Sequence, residues 1–176
     1  VADLQREVLL GDLFGVRCCA ARRVDLDQRF PDGTGPALWE AALQGRREMV
    51  EALLELRANP ALGNRAGLTP LMAASAHGHA AVVDCLLARL PPRSARCASR
   101  GGDTAAELAS RALADARDRL RAAADALRSF ASRPGAFETG GPSPSLEGEV
   151  AESQARVADF EHILDRLSAN AAAAAV

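Results

Sequence analysis

His77, His79 and Cys85 are the residues whose types and spacing come closest to a metal or catalytic site in this sequence. They lie in the stretch GLTPLMAASAHGHAAVVDCLL, residues 67–87. Zinc sites combine histidine nitrogens and cysteine sulfurs in a tetrahedral set. Here the histidines flank a glycine at a predicted turn, and Cys85 falls among the apolar residues of a predicted helix. We therefore expect the three side chains to point apart, with His79 bonded to the turn backbone, His77 near an exposed lip and Cys85 in the core.

No other group of residues in the sequence indicates catalysis. A nucleophilic site needs a base within hydrogen-bond reach of a serine or cysteine, and a further group that orients the base. The remaining histidine, His162, lies beside Glu161 and Asp165 on a predicted helix, where exposure to solvent explains all three. A phosphate-binding loop of the G-x-x-x-x-G-K type needs a lysine, and the chain has none. We predict that the chain is not an enzyme and that it holds no metal or cofactor.

Composition favours a helical protein with small side chains in its core. The chain has 176 residues, a net charge of −2 and a 48% apolar fraction that is rich in alanine, a strong helix former. The near-neutral charge gives no support to general binding of nucleic acids. No apolar run reaches the length of about 20 residues that spans a membrane. Because no charged-then-apolar signal segment opens the chain, we expect an intracellular protein, cytoplasmic or nuclear.

The cysteines and the two ends of the sequence lead to two smaller expectations. Cys18, Cys19, Cys85 and Cys97 lack the spacing of a disulfide framework or a zinc motif. We expect them to be small apolar core residues in a reducing compartment. Because the sequence starts at Val1 and ends in ANAAAAAV, we expect it to be a fragment of a longer protein.

A repeat with a period of 33 residues is the strongest pattern in the sequence. When PALWEAALQGRREMVEALLELRANP, from Pro36, is set above TPLMAASAHGHAAVVDCLLARLPPR, from Thr69, the apolar and glycine positions coincide. Each unit has a turn, a short helix of small residues, a glycine and a second helix with apolar residues at helical spacing. Thr69 is suited to cap the first helix, Pro70 to begin it and Gly78 to end it. Such a period predicts a stacked solenoid of helix pairs.

The unit GLTPLMAASAHGHAAVVDCLL resembles the ankyrin repeat, with its pattern G-x-T-P-L-H-x-A-A-x-x-G-H followed by V-V-x-x-L-L. It departs from that pattern at Met72, where the family usually has histidine, and at Ser75. The unit before it begins with GPAL, and it has Trp39 at the histidine position and Glu40 at a usually apolar one. We therefore expect the opening of that unit to be irregular.

The resemblance extends more weakly in both directions. LLGDLFGVRCCAARRVDLDQR resembles a first, capping unit, and RGGDTAAELAS resembles the start of a fourth, with Thr104 and Glu107 as a capping box. The fourth unit begins two residues late, so the preceding loop, RLPPRSARCASR, should be longer than its counterparts. The resemblance implies an all-α solenoid over roughly residues 2–130.

The repeat gives way to two longer helices toward the C-terminus. Apolar residues from Ala109 to Phe130 recur at alternating steps of four and three, which predicts one helix over about 104–132. RPGAFETGGPSPS contains prolines and glycines that cannot continue a helix, and a second series then runs from Val150 to Leu167. The predicted organisation is ankyrin-like repeats over 1–132 (about 1–30, 31–63, 64–97 and 98–132), a linker over 133–145 and an acidic, alanine-rich helix over 146–176.

Two arrangements are open for the C-terminal helix. It can pack on the long helix as an antiparallel hairpin, which buries both apolar stripes. Alternatively, its stripe of Phe160, Leu164 and Leu167 can pair with another chain. We predict the hairpin, because the linker is long enough to allow it and an exposed stripe would favour unwanted association.

The family resemblance implies a non-enzymatic module that binds another protein through a concave face, formed by turn tips and first helices. The variable contact positions of the family, and apolar residues near them, fall here on Asp32, Trp39, Leu43, Gln44, Arg65, Leu68, Met72, His77, Arg100 and Asp103. Trp39 and Met72 are candidate apolar anchors, or else they fill the packing space of the family's histidine.

The partner's chemistry and two other functions are left open by the sequence. Arg93, Arg96 and Arg100 lie in a loop without acidic residues and could receive an acidic segment, or simply be solvated. Nucleic-acid binding is the weaker interpretation, because aromatic residues do not alternate with these arginines. The alternatives to partner binding are an assembly element that acts through the C-terminal heptad helix, and a regulatory fragment of a larger multidomain enzyme.

Overall fold

The computed structural model describes residues 2–30, 35–91, 94, 96–131 and 144–173. This part of the chain folds into helices joined by turns and loops, without strands, which confirms the all-α prediction. The helices are α1 (Ala2–Leu10), α2 (Leu13–Ala21), α3 (Ala37–Leu43), α4 (Arg47–Glu55), α5 (Pro70–His77), α6 (Ala80–Leu87), α7 (Ala105–Ala131) and α8 (Pro144–Ala173).

The helices stack as two layers. In one layer α1 contacts α3, α3 contacts α5 and α5 contacts α7. In the other, α2 contacts α4, α4 contacts α6 and α6 contacts α8. Within each pair, the first helix packs on the second, up to and including α7 on α8. The described chain is therefore a row of helix pairs, in which α8 takes the second-helix position of the last pair.

The core repeats with the same period as the sequence. Val16, Val50 and Val83, which occupy one position of successive units, are each 0% exposed. The first helices bury small residues as well, and Ala41, its counterpart Ala74 and neighbouring alanines lie between adjacent helices. Small side chains allow these helices to pack closely, and larger buried residues of both layers, among them Leu38, Leu53, Leu71 and Leu86, fill the space between them.

The predicted helix signals of the third and fourth units are confirmed. The hydroxyl of Thr69 accepts a hydrogen bond from the Met72 amide at 3.3 Å, Pro70 is the first residue of α5, and Gly78 follows the helix in a left-handed conformation with φ +78°. Thr104 and Glu107 form the capping box, since the Thr104 amide donates to Oε2 of Glu107 at 2.7 Å and the Glu107 amide donates to Thr104 Oγ1 at 3.3 Å.

The last two helices form an antiparallel hairpin, as predicted. Arg117 of α7 and Glu161 of α8 are joined by a 2.8 Å ion pair. The observed α7 closely matches the predicted long helix, whereas α8 begins at Pro144, within the predicted linker. Proline is tolerated at the start of a helix because the amide it lacks would be unpaired there. The rest of the predicted linker lies outside the described residues.

The apolar side of α8 faces its own chain. Phe160, Ile163 and Leu167 are at most 2% exposed, while Leu164 is half-buried against the core. The stripe that could have paired with another molecule therefore completes the second layer of the stack. Ile163 is absent from the predicted heptad series, because the buried face of α8 is wider than the narrow stripe produced by alternating steps of three and four residues.

Candidate functional site

The two histidines of the opening stretch bind backbone carbonyls. The ring of His79 donates from Nε2 to the carbonyl of Leu43, in the turn of the preceding unit, at 3.0 Å. His77 is exposed, and its Nδ1 lies 2.9 Å from the carbonyl of Ala73. The prediction that the rings point apart is wrong, because they lie stacked with centroids 6.1 Å apart and planes inclined by 14°. Burial lowers the pKa of His79 below its ordinary value. The ring is therefore neutral while its Nε2 donates to the Leu43 carbonyl.

Cys85 lies away from both histidines. It packs against the core, as predicted, but is only half-buried, because its other side faces a groove between α4 and α6. Burial raises the pKa of its thiol, which disfavours the thiolate that metals and electrophiles require. In the described ranges, no three histidine, cysteine, aspartate or glutamate residues are grouped so that they could hold a metal ion. Cys18 and Cys97 are exposed, so only Cys19 matches the expectation of a buried cysteine.

The turn between the second and third units forms a closed tip over residues 63–68. Asn64 organises it: its Oδ1 accepts from the amides of Ala66 and Leu68 at 3.0 Å each, and its amide donates to the Leu68 carbonyl at 3.0 Å. A side-chain oxygen bonded two residues along its own chain is a common way to build a turn. The shape of this tip is therefore fixed by its own hydrogen bonds.

A second tip, residues 98–104, is bonded to the first. The Arg100 amide donates to the Ala66 carbonyl at 3.0 Å, and within the tip the Ser99 amide donates to the Asp103 carbonyl at 2.9 Å. From the other side, Nε of Arg29 donates to the Gly63 carbonyl at 3.1 Å. Successive turns are thus joined into a continuous edge, which we call the tip edge.

The predicted contact residues divide into exposed, partly covered and buried groups. Arg65, His77 and Arg100 are exposed, and Leu43, Gln44, Leu68 and Asp103 are half-buried. Asp103 is engaged by Arg111, whose Nη2 lies 3.0 Å from its Oδ1. Asp32 and Arg93 lie outside the described residues, and Arg96 is exposed. The structure therefore brings Arg65, Leu68, Arg100 and Asp103 to the tip edge and Leu43, Gln44 and His77 to the ends of α3 and α5. Arg96 lies apart from them, beside α7 and α8.

Trp39 and Met72 are core residues, so neither is an accessible anchor. Met72 is 1% exposed and Trp39 is 8% exposed, with its indole packed against Gly35. Their burial favours the other interpretation of these positions, in which each side chain is a packing residue in place of the family's histidine. Glu40, beside Trp39, is only 7% exposed, and one of its carboxylate oxygens has no hydrogen-bond partner. The buried carboxylate is thus a local cost in a helix that otherwise packs small apolar residues.

The tip edge carries three arginines that have no ion-pair partner among the residues the structure describes. Arg29, Arg65 and Arg100 are exposed, and none forms an ion pair with another residue of the described ranges. Arg29 was missed from the sequence, because the 33-residue period places Asp32, not Arg29, at the position of Arg65. Arg29 reaches the tip edge through the contact of its side chain with Gly63 in the next unit.

His162 has a role that the sequence did not reveal. Its Nε2 lies 2.9 Å from Oδ2 of Asp84 on α6, and Arg166 donates from Nε to Oδ1 of the same carboxylate at 2.6 Å. Burial by itself would raise the pKa of Asp84, but the hydrogen bonds from His162 and Arg166 outweigh it and hold that pKa below its ordinary value. The three residues fasten α8 to α6, so their role is architectural.

Comparison with known proteins agrees with this architecture. A family model described as ankyrin repeats (3 copies) matches residues 14–120. The chain belongs to the ankyrin repeat family, which confirms the resemblance. No curated protein matches it by sequence. No described helix is both long enough and apolar enough to span a membrane.

Solved structures share the fold. One match is the crystal structure of the ankyrin repeat domain of Bcl-3, described as a unique member of the IkappaB protein family. It aligns with a TM-score of 0.56 and 22% identity over 60% of this chain. The present chain spans 45% of that structure's chain. At this identity the likeness establishes the fold alone.

Proposed function

We propose that the chain is a non-enzymatic interaction module that binds a partner protein through the tip edge and the adjoining surfaces of α3 and α5. The observation that carries the proposal is the set of exposed arginines at the tip edge, Arg29, Arg65 and Arg100, none of which forms an ion pair with another described residue. Membership of the ankyrin repeat family supports a role in binding proteins.

Preformed tips favour binding because little order has to be created when the partner arrives. The hydrogen bonds of Asn64 close one tip, and the bond from Arg100 to Ala66 joins it to the next. A rigid backbone reduces the entropy lost on association. The conformational entropy of the tips is thus lost during folding and not on binding.

The charge of the tip edge favours an acidic partner segment. Arginine guanidinium groups bind carboxylates through paired, charge-assisted hydrogen bonds. Neighbouring helices pack about 8–10 Å apart, so we expect successive tips to have a similar spacing. An extended chain in the polyproline II conformation has three residues per turn and advances about 3.1 Å per residue, so every third side chain lies on the same side, about 9 Å from the last. We therefore propose that the partner presents acidic side chains at about every third position of an extended segment.

The half-buried side chains would supply the apolar part of the interface. Leu43 of the second unit and Leu68 of the third are both partly accessible, and His77 lies on the same layer of first helices. Interfaces draw much of their affinity from such partly covered apolar residues at the centre, surrounded by polar contacts. The assembly alternative is weakened, since Phe160, Ile163 and Leu167 are buried within the chain.

A peptide titration tests the proposed chemistry. The probe is a fluorescein-labelled peptide of about twelve residues with glutamate at every third position, long enough when extended to pass several tips. Fluorescence anisotropy measures its binding to the wild type, to a variant combining Arg65→Glu with Arg100→Glu, and to Arg89→Glu. Arg89 is the matched control, because it is exposed near the end of α6 and remote from the tips.

We expect the wild type and the Arg89→Glu variant to bind the peptide alike, and the double variant to lose at least about tenfold in affinity. A peptide with the same glutamates clustered at one end should bind more weakly than the spaced peptide. Equal binding by the double variant and the wild type would overturn the proposed acidic partner and its contact residues.

A further inference from the structure

The hairpin of α7 and α8 extends beyond the stack, and no other described helix packs on its outer half. We call residues 117–129 of α7 and 147–159 of α8 the distal hairpin. No side chain in either range is buried, although Leu120, Leu127, Val150 and Val157 are half-buried. At 1.5 Å per residue, each range is about 20 Å long. Two helices alone bury too little apolar surface to be stable, and this part of the fold has no further packing partner among the described residues.

A shallow groove runs along one side of the distal hairpin. Its volume is about 450 Å³, and its floor is formed by small side chains, among them Ala116, Ala122, Ala123, Ala126 and Ser153. Small side chains allow the backbone of an incoming helix to approach closely. The groove therefore has the shape that a packed helix requires.

The charged rim of this groove is divided by sign along the hairpin axis. Glu149 and Glu152 line the end near the tip of the hairpin, and Arg119 and Arg156 line the end near the stack. The antiparallel register set by Arg117 and Glu161 places the two groups about 10 Å apart along the axis. All four rim residues are exposed, and none forms an ion pair within the described part of the chain.

A rim with this division of charge is complementary to a copy of itself. When a second hairpin is laid on the first in the opposite direction, the acidic end of each lies on the basic end of the other. A two-fold axis through the middle of the groove relates the two copies, and every contact then occurs twice. A partner helix of uniform charge would instead be repelled at one end of the groove.

We propose that two copies of this chain associate through the distal hairpins and form an antiparallel four-helix bundle. The helices approach over the alanine floor, and Arg119 and Arg156 of each copy face Glu149 and Glu152 of the other. This surface differs from the C-terminal apolar stripe, which is buried within each chain. The association is independent of partner binding at the tip edge, which lies on another part of the stack.

Charge reversal tests the proposal with the full chain. The acid-reversed variant combines Glu149→Arg with Glu152→Arg, and the base-reversed variant combines Arg119→Glu with Arg156→Glu. Each variant alone places like charges face to face, whereas an equimolar mixture restores opposite charges at both ends. Light scattering after size exclusion gives the mass of each sample, and circular dichroism verifies that helix content is unchanged.

We expect the wild type and the Arg89→Glu control to form dimers at about 100 µM, a concentration at which a Kd of about 10 µM gives mostly dimer. Each reversed variant should be monomeric, the mixture should be dimeric, and salt should weaken the association. A monomeric wild type, reversed variants that still dimerise, or a mixture that stays monomeric would each overturn the proposal.

Discussion

Phe160 of α8 covers Gly78 at the end of α5, so closely that a Cβ at position 78 would lie 2.9 Å from Cζ of Phe160. The same relationship joins the earlier units, because His79 covers Gly45 and Arg46 covers Gly11. Arg46 and His79 each lie next after the glycine of their own unit, whereas Phe160 comes from a helix much later in the chain. The aromatic ring thus continues a repeated contact where the repeat sequence has ended.

Replacing Phe160 by alanine should lower the free energy of unfolding by about 3–5 kcal/mol, since a fully buried ring is removed and a cavity is left. Chemical denaturation monitored by circular dichroism gives this value. Phe14→Ala is the matched control, because Phe14 is 75% exposed and surface changes usually stay within about 0.5 kcal/mol. Equal losses for the two variants would show that α8 is not part of the stack.

His79 should make stability depend on pH in the weakly acidic range. Burial lowers its pKa in the folded state, so the unfolded chain binds the proton more readily. Stability is then full above the unfolded value of about 6.5, and it falls as the pH drops from there to the lower folded pKa. Thermal unfolding between about pH 7.5 and pH 5 measures this slope.

Glutamine at position 79 should remove that slope, because it does not titrate and its amide can donate to the Leu43 carbonyl. His77→Gln is the control, since His77 is exposed and bonds only within its own helix in the described chain. The account of His79 is wrong if both variants retain the wild-type slope.

Arg57 follows α4 with a φ of +69°, a conformation that costs an L-residue about 1–2 kcal/mol. Arg57→Gly should therefore raise the free energy of unfolding by roughly 1 kcal/mol, part of the gain being lost to the greater freedom of the unfolded chain. Arg89→Gly serves as the comparison, because Arg89 has no positive φ, and it should not stabilise the chain. Denaturant titration distinguishes the two, and an unchanged or lower stability for Arg57→Gly would refute the argument.

Glu40→Gln should stabilise the chain by about 1 kcal/mol, because it removes a carboxylate from a buried position. The Gln44 side chain donates to Glu40 at 2.7 Å, and its own oxygen lacks a partner. A glutamine at position 40 can keep the first bond and donate to that oxygen. Glu48→Gln, on the exposed side of α4, should change stability by less than about 0.5 kcal/mol. A loss of stability in Glu40→Gln would mean that the surroundings stabilise the carboxylate of Glu40 more than a neutral amide, which would contradict the argument.

Local signals in the sequence were sufficient to predict the units of the stack. The caps at Thr69 and Thr104 act on amides only a few residues away, and Gly78 ends α5 through its own backbone. Interactions of this range can be read directly from spacing. The same holds for the long helix α7, because apolar residues recur at steps of three and four along its length.

The contacts between distant segments could not be predicted in this way. His162 and Asp84 are far apart in the sequence, and only the docking of α8 on α6 brings them together. The burial of Trp39 likewise depends on the path of the chain at Gly35. Arg29 joins the tip edge because its side chain reaches Gly63 in the next unit. Local sequence propensities do not specify which distant side chains come into contact in the folded chain.

The location of the binding surface is tested most directly by nuclear magnetic resonance. Backbone amide shifts of the full chain are recorded during titration with the spaced glutamate peptide. We predict that the largest changes fall on residues 63–68 and 98–104 and on the exposed side of α5, with few on α4 and α6. Changes concentrated on α4 and α6, with the tips unaffected, would contradict the proposal that the tip edge binds the partner.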